Sequence, residues 1–366
     1  MPKNILSGLI AAALVATLPF GAQAAEGKVV HVYNWSDYID QSILTEFEQE
    51  TGIKVVYDVF DSNELLETKL LAGASGYDVV VPTGTFLARQ IEAGVFQKLD
   101  KSKLPNLKHM WDVIEDRVAK YDPGNQYSIN YMWGTTGIGY NEDKIQERMA
   151  DAPVDSWRML FDPEVVANFA ECGVYLLDSS EDIIPTVLNY IGEDPDNKDP
   201  EVIQKAEAVL MAIRPYIRKF HSSEYINALA NGDICLTMGW SGDVLQARDR
   251  AEEAGKDITI HYVIPQEGTL MWFDQMAIPR DAPHPNNAHT FLNYIMRPEV
   301  IAQASNYVYF ANGNKASQAF LEEDVINDPA IYPPPHVLEK LYTVTPYPPK
   351  VQRTVTRLWT RVKSAR

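Results

Sequence analysis

The sequence predicts an α/β protein of two domains, and three observations lead there. Short apolar, β-rich runs alternate with helix-period stretches from Val29 onward, the pattern of βαβ units around a mainly parallel sheet. The roughly 340 residues after a leader-like amino terminus are more than one hydrophobic core organises, because chains divide beyond about 250 to 300 residues. At Asn130–Gly139, "NYMWGTTGIG", an aromatic run meets glycines and threonines, a helix-rich block follows, and strand character returns at Ile258–Val263. That reads as a chain leaving its first domain and coming back.

Taken in order, Val29–Tyr33 is the first strand, followed by a helix around Ser42–Thr51, a strand Lys54–Phe60 and a helix around Ser62–Ala72. A strand Asp78–Val81 and a helix around Phe86–Ala93 complete the first block. Helix starts are marked by Asp61-Ser62-Asn63-Glu64, Asp155-Ser156-Trp157 and Asp199-Pro200-Glu201, where short polar side chains accept from free backbone N–H groups. A helix-rich block covers about Asn141–Gly255, and a helix Asn286–Met296 closes at Arg297-Pro298. Val351, Val355, Leu358 and Val362 lie at helical spacing near the carboxyl end, with the basic residues between them on a solvated face. The expected division is a leader at 1–24, a discontinuous first lobe at 25–132 and 255–321, and a second at 133–254 and 322–366.

The first 24 residues carry Lys3 as their only charge, an apolar stretch from Ile5 to Phe20, and Ala22-Gln23-Ala24. This is the pattern of a secretory signal peptide cleaved after Ala24. No cysteine follows it to take a lipid, so no membrane anchor is expected. The formal charge of −18 disfavours nucleic acid and anionic membranes as partners and is permissive of a cationic ligand. Cys172 and Cys235 are the two cysteines, and an oxidising compartment favours one disulfide over two free thiols.

Three distant strand ends present a tryptophan beside an aspartate: Trp35-Ser36-Asp37, Trp240-Ser241-Gly242-Asp243 and Trp272-Phe273-Asp274. Strand ends deliver side chains to clefts. A fourth pair, Trp111-Asp112, lies in helix-like surroundings and reads as an ordinary half-buried surface tryptophan. Phosphate-loop, dinucleotide, nucleophile-elbow and H-E-x-x-H motifs are all missing from the sequence. The seven histidines are scattered without ligand spacing, so neither metal nor cofactor is expected.

The same acids admit two chemistries. Asp37, Asp243 and Asp274 could supply a carboxylate pair for glycoside hydrolysis, with the aromatics as sugar platforms. Alternatively, an organic polycation entering a closed cleft needs a carboxylate for each ammonium. Aromatic faces would cover its methylenes and attract its charge.

The stretches "VYNWSDYI", "TGIKVVYDVFDSNE", "GYDVVVPTGTFLARQ", "DKSKLPN", "MWGTTGIGYN", "APVDSW", "VLNYIGEDP", "FHSSEYINALANGDIC", "GWSGDV" and "RPEV" resemble the periplasmic polyamine-binding proteins of ABC transporters, from about residue 27 to the carboxyl end. The resemblance implies a type II two-lobed binding-protein fold with hinge strands, a monomer without enzymatic activity, and transient docking to a membrane permease. It implies an aromatic box of Trp35, Tyr38, Trp240, Trp272 and Phe310, with Phe86 nearby. Ammonium-binding acids are implied at Asp37, Asp243 and Asp274, polar contacts at Ser36 and Thr83, and a disulfide between Cys172 and Cys235. An acid of "DSSEDII" belongs to the pattern as well, aligned at Asp182 with Glu181 its neighbour. Putrescine and spermidine both stay open: Trp272 is typical of longer-polyamine binders, the aspartate of "GWSGD" is typical of putrescine binders, and Thr83-Gly84-Thr85 departs from the serine-containing version. A polyamine sensor would share the same pocket.

Overall fold

A computed structural model describes residues 26–365. The expected leader at 1–24 lies outside them. Ten strands are described: β1 (Val29–Trp35), β2 (Lys54–Phe60), β3 (Val79–Val80), β4 (Ser128–Asn141), β5 (Val174–Leu176), β6 (Lys219–Phe220), β7 (Leu236–Trp240), β8 (Ile260–Val263), β9 (Met271–Ala277) and β10 (Ala311–Asn312). They run in the order β2-β1-β3-β9-β4-β7-β5-β6, with β8 and β10 also paired to β4. The helices that bear on the site are α1 (Gln41–Thr51), α2 (Asn63–Ala72), α3 (Gly84–Glu92), α4 (Ser180–Tyr190), α5 (Ser241–Glu253), α6 (Pro285–Ile295) and α7 (Pro349–Ser364).

The expected parallel pairing is found at the two outer ends, where β1 joins β2 and β3, and β5 joins β6 and β7. The middle of the sheet differs, because β9, β7 and β8 all pair antiparallel to β4. The outer strands are linked through helices, as parallel neighbours require, whereas the middle strands carry chain travelling in opposite directions between two bodies. Ser128–Thr135 of β4 pairs with β9, and Thr136–Asn141 pairs with β7 and β8. One continuous strand therefore belongs to both halves.

Each half has its own core. Val30, Phe47, Leu66 and Phe291 are wholly or almost wholly buried in the first, around β1, α1 and α6. Trp157, Phe161, Ile184 and Leu188 fill the second, onto which α7 lays Val351, Val355, Leu358 and Val362. A third, smaller cluster joins Trp133, Leu245 and Phe273 to Ile114, Val118, Val325 and Ile331, under the region where the halves meet. Local chemistry explains the helix ends: Ser62 accepts from Leu65 N–H, Asp199 from Glu201 N–H, and Gly52 closes α1 in the left-handed conformation. Trp111 is half-buried and precedes a short helix. Cys172 and Cys235 form a disulfide with Cα atoms 5.5 Å apart, tying the turn before β5 to the start of β7.

Candidate functional site

Between the halves lies a cavity lined by Trp35, Ser36, Tyr38, Thr83, Phe86, Asp182, Trp240, Asp243, Trp272, Asp274 and Phe310. Eleven of the twelve residues expected at a ligand site are thus brought together. The ends of β1 and β7, the first half of β9 and the starts of α3, α4 and α5 deliver most of them, so Trp272-Phe273-Asp274 lies within a strand and not at its end as expected. A chain of edge-to-face aromatics surrounds the space: Trp35 to Trp240 at 5.6 Å between centroids, Trp240 to Trp272 at 6.3 Å, Trp272 to Phe310 at 5.2 Å and Phe310 to Tyr38 at 5.3 Å. Trp35 is oriented by its Nε1–H, which donates to the Val81 carbonyl at 2.9 Å. Gly134 has to be glycine here, since a Cβ would stand 2.7 Å from the Trp272 ring.

The twelfth residue requires a correction. Asp37 is exposed and outside the cavity, because it sits just past the end of β1 with φ of 53° and its carboxylate accepts from Arg250 Nη2 at 2.7 Å. It joins α5 to the turn after β1 across the mouth of the cleft.

Two acids inside face the cavity from opposite halves. Asp274 accepts from Thr83 Oγ1 at 2.6 Å and from Tyr38 O–H at 2.8 Å. Asp243, in the first turn of α5, accepts from Tyr225 O–H at 2.7 Å. Burial pushes both carboxyls up to about 7, against the pull of these hydroxyl donors. The described ion pairs that span the halves here, Arg250–Asp37 and Arg89–Glu181, leave both acids without a cationic partner.

The acids of "DSSEDII" behave differently. Asp182 accepts from Thr136 Oγ1 at 2.7 Å, Ser179 Oγ at 2.6 Å and Trp240 Nε1 at 3.2 Å, so it orients Trp240. Burial raises its carboxyl above the usual range, while these three donors oppose the rise. Glu181 also lines the cavity but accepts from Thr85 Oγ1 and Arg89. Sequence reasoning missed Tyr225, Arg89 and Arg250. Tyr225 is fully buried on a helix with no local polar pattern to mark it, and the two arginines have partners 92 and 213 positions away.

A second gathering could not be read from spacing. His31, Asp78 and His284 bring ligand-type atoms within 4.8 Å of one another. Asp78 already accepts from His31 N–H, His284 N–H and His284 Nδ1, so a metal here would displace bonds that hold the start of α6 to the sheet.

Residues 42–333 match the model of a family described as bacterial extracellular solute-binding protein. The chain is 51% identical, over the full length of both, to the putrescine-binding periplasmic protein SpuD of Pseudomonas aeruginosa. It is 50% identical to the putrescine-binding periplasmic protein PotF of Escherichia coli, covering 100% of this chain and 99% of that one. A solved structure described as a putative spermidine/putrescine ABC transporter from Listeria monocytogenes superposes with a TM-score of 0.82 at 31% identity, covering 93% of this chain and 100% of the other.

Proposed function

This chain belongs to the family of bacterial extracellular solute-binding proteins, and from that premise we propose that it captures a protonated polyamine in the periplasm and hands it to the permease of an ABC importer. The observation that carries this function is the pair Asp243 and Asp274: buried, facing one aromatic cavity from opposite halves, and without an ion-pair partner among the described residues. Buried carboxylates without a counter-charge are costly, and an organic dication supplies one at each. Trp35, Tyr38, Trp240, Trp272 and Phe310 then cover the methylenes, and Ser36 and Thr83 add polar contacts. Relatives named for putrescine binding at half identity over their full length support the same ligand class.

The function is capture without chemistry. The open protein takes up the cation, and the halves close because only the closed form contacts it from both sides. The two moving lobes are residues 25–132 with 255–321 and residues 133–254 with 322–366, except that β8 pairs with the second-lobe part of β4 and Ile260 packs into the second core; the mature monomer starts after Ala24. The hydrolase alternative is the weaker one, since the matching relatives are binding proteins by name. Calorimetric titration of ligand-stripped protein with putrescine, cadaverine, spermidine and spermine, with maltose as control, tests the function. Saturable one-to-one binding of a polyamine is expected; binding of the sugar alone would overturn it.

A further inference from the structure

Phe86 and Glu181 also wall the cavity, where the start of α3 meets the start of α4 across the halves. Glu181 is buried in the first turn of α4, yet both of its oxygens are taken. One accepts from Thr85 Oγ1 at 2.5 Å and the other from Arg89 Nη1 at 2.7 Å. Arg89 comes from α3 in the opposite half. Its guanidinium lies over the Phe86 ring, 3.7 Å from the centroid, and its other edge donates to both oxygens of Glu67 at 2.6 and 3.0 Å. A cation over an aromatic face between two carboxylates is what an ammonium of a bound polycation would require. Here the protein fills that position with its own side chain.

Behind Arg89 opens a second, outer groove between the halves, whose walls include Glu64, Glu67, Gln90, Asp178 and Tyr347. Gln90 is 1% exposed, and among the described residues neither its amide atoms nor the buried Tyr347 hydroxyl has a hydrogen-bond partner. A chain extending past Arg89 would therefore meet carboxylates and unpaired polar groups. Arg89 lines this groove and bonds Glu181 of the cavity wall.

We propose that Arg89 is a specificity-determining residue: it stops the Glu181 end of the cavity and so limits the length of the linear polyamine that the closed protein holds, an assignment that rests on the polyamine function above. In the wild-type protein a four-carbon diamine then binds at least about tenfold more tightly than a triamine carrying an extra aminopropyl arm. Arg89→Met keeps the aliphatic stem but frees Glu181 and Glu67, and it should move the triamine-to-diamine affinity ratio by at least about tenfold toward the triamine. Arg89→Lys, which retains the charge, should restore the wild-type order.

Titration calorimetry of putrescine and spermidine against the three proteins decides the matter, with thermal melts reporting folding. If Arg89→Met does not fold, Arg89→Met with Glu67→Gln removes the second unpaired acid and should show the same shift. A wild-type protein that binds the triamine as tightly as the diamine overturns the end stop. So does a folded Arg89→Met, or its double variant with Glu67→Gln, whose triamine-to-diamine affinity ratio stays within about twofold of wild type. A wild-type protein that binds no polyamine fails differently, since it defeats the proposed function itself.

Discussion

Asp243 shows how one side chain sets stability and binding in opposition. It is 7% exposed, its carboxyl is pushed up to about 7 by burial, and its hydrogen bond is to Tyr225. Asp243→Asn preserves the shape and an acceptor for the Tyr225 hydroxyl while removing the buried charge. Polyamine affinity should fall by at least about 30-fold, the loss of about 2 kcal/mol or more seen when a desolvated charge pair loses one member. The ligand-free protein should melt higher, because the uncompensated carboxylate is gone. Calorimetry and thermal melts check the two halves of this expectation, and an unchanged affinity would remove Asp243 from the site. The residue was legible in the sequence as the acid of "GWSGD"; its partner Tyr225 was not, since nothing local marks a helix tyrosine as a hydrogen-bond donor to a residue 18 positions on.

The elements around the cleft were legible where their periodicity is local. Lys54–Phe60 reads as a strand at the bounds it has, and Val351, Val355, Leu358 and Val362 of the carboxyl-terminal helix are all buried. The middle of the sheet was less legible, because β4 pairs with β9, β7 and β8 and long-range pairing leaves no trace in a window of ten residues. Asp37 fails for a related reason: the turn after β1 gives it a positive φ and aims it at α5 rather than into the cavity. The resulting Asp37–Arg250 bridge has side chains 42% and 31% exposed, and pairs so placed contribute about 0.2 to 1 kcal/mol. Arg250→Gln should therefore speed polyamine release by less than about fivefold, measurable by stopped-flow tryptophan fluorescence. A much larger acceleration would make this bridge, not the buried acids, the main restraint on opening.

Across the whole molecule, closure and protonation are coupled. Burial between the halves raises Asp243 and Asp274 to about 7. Their contribution to stability is fully present below the ordinary carboxylate range and is lost as pH rises through about 7. The cation needs both acids ionised, and alkyl ammonium groups keep their protons across this range. Lowering the pH from 8 to 5.5 should thus weaken binding progressively, up to about tenfold per pH unit for each acid that must lose its proton. Calorimetry in buffers of different ionisation heat should record proton release on binding near pH 6.5, and Asp243→Asn should show less of it. A pH-independent affinity with no proton release would mean that the acids titrate normally and are hydrated before the ligand arrives.

Residue order alone determined the α/β alternation, the helix caps, the acidic balance and the three tryptophan–aspartate pairs, because each depends on neighbours within a few positions or on bulk composition. The resemblance carried by its short motifs added the ligand class. Tertiary structure decided which of those acids are desolvated and unpaired, because burial and counter-charge come from partners brought together by the fold. Asp37 was thereby moved to the rim, Asp182 was given to Trp240, and Glu181 to Arg89. Asp243 and Asp274 remained as the pair inside.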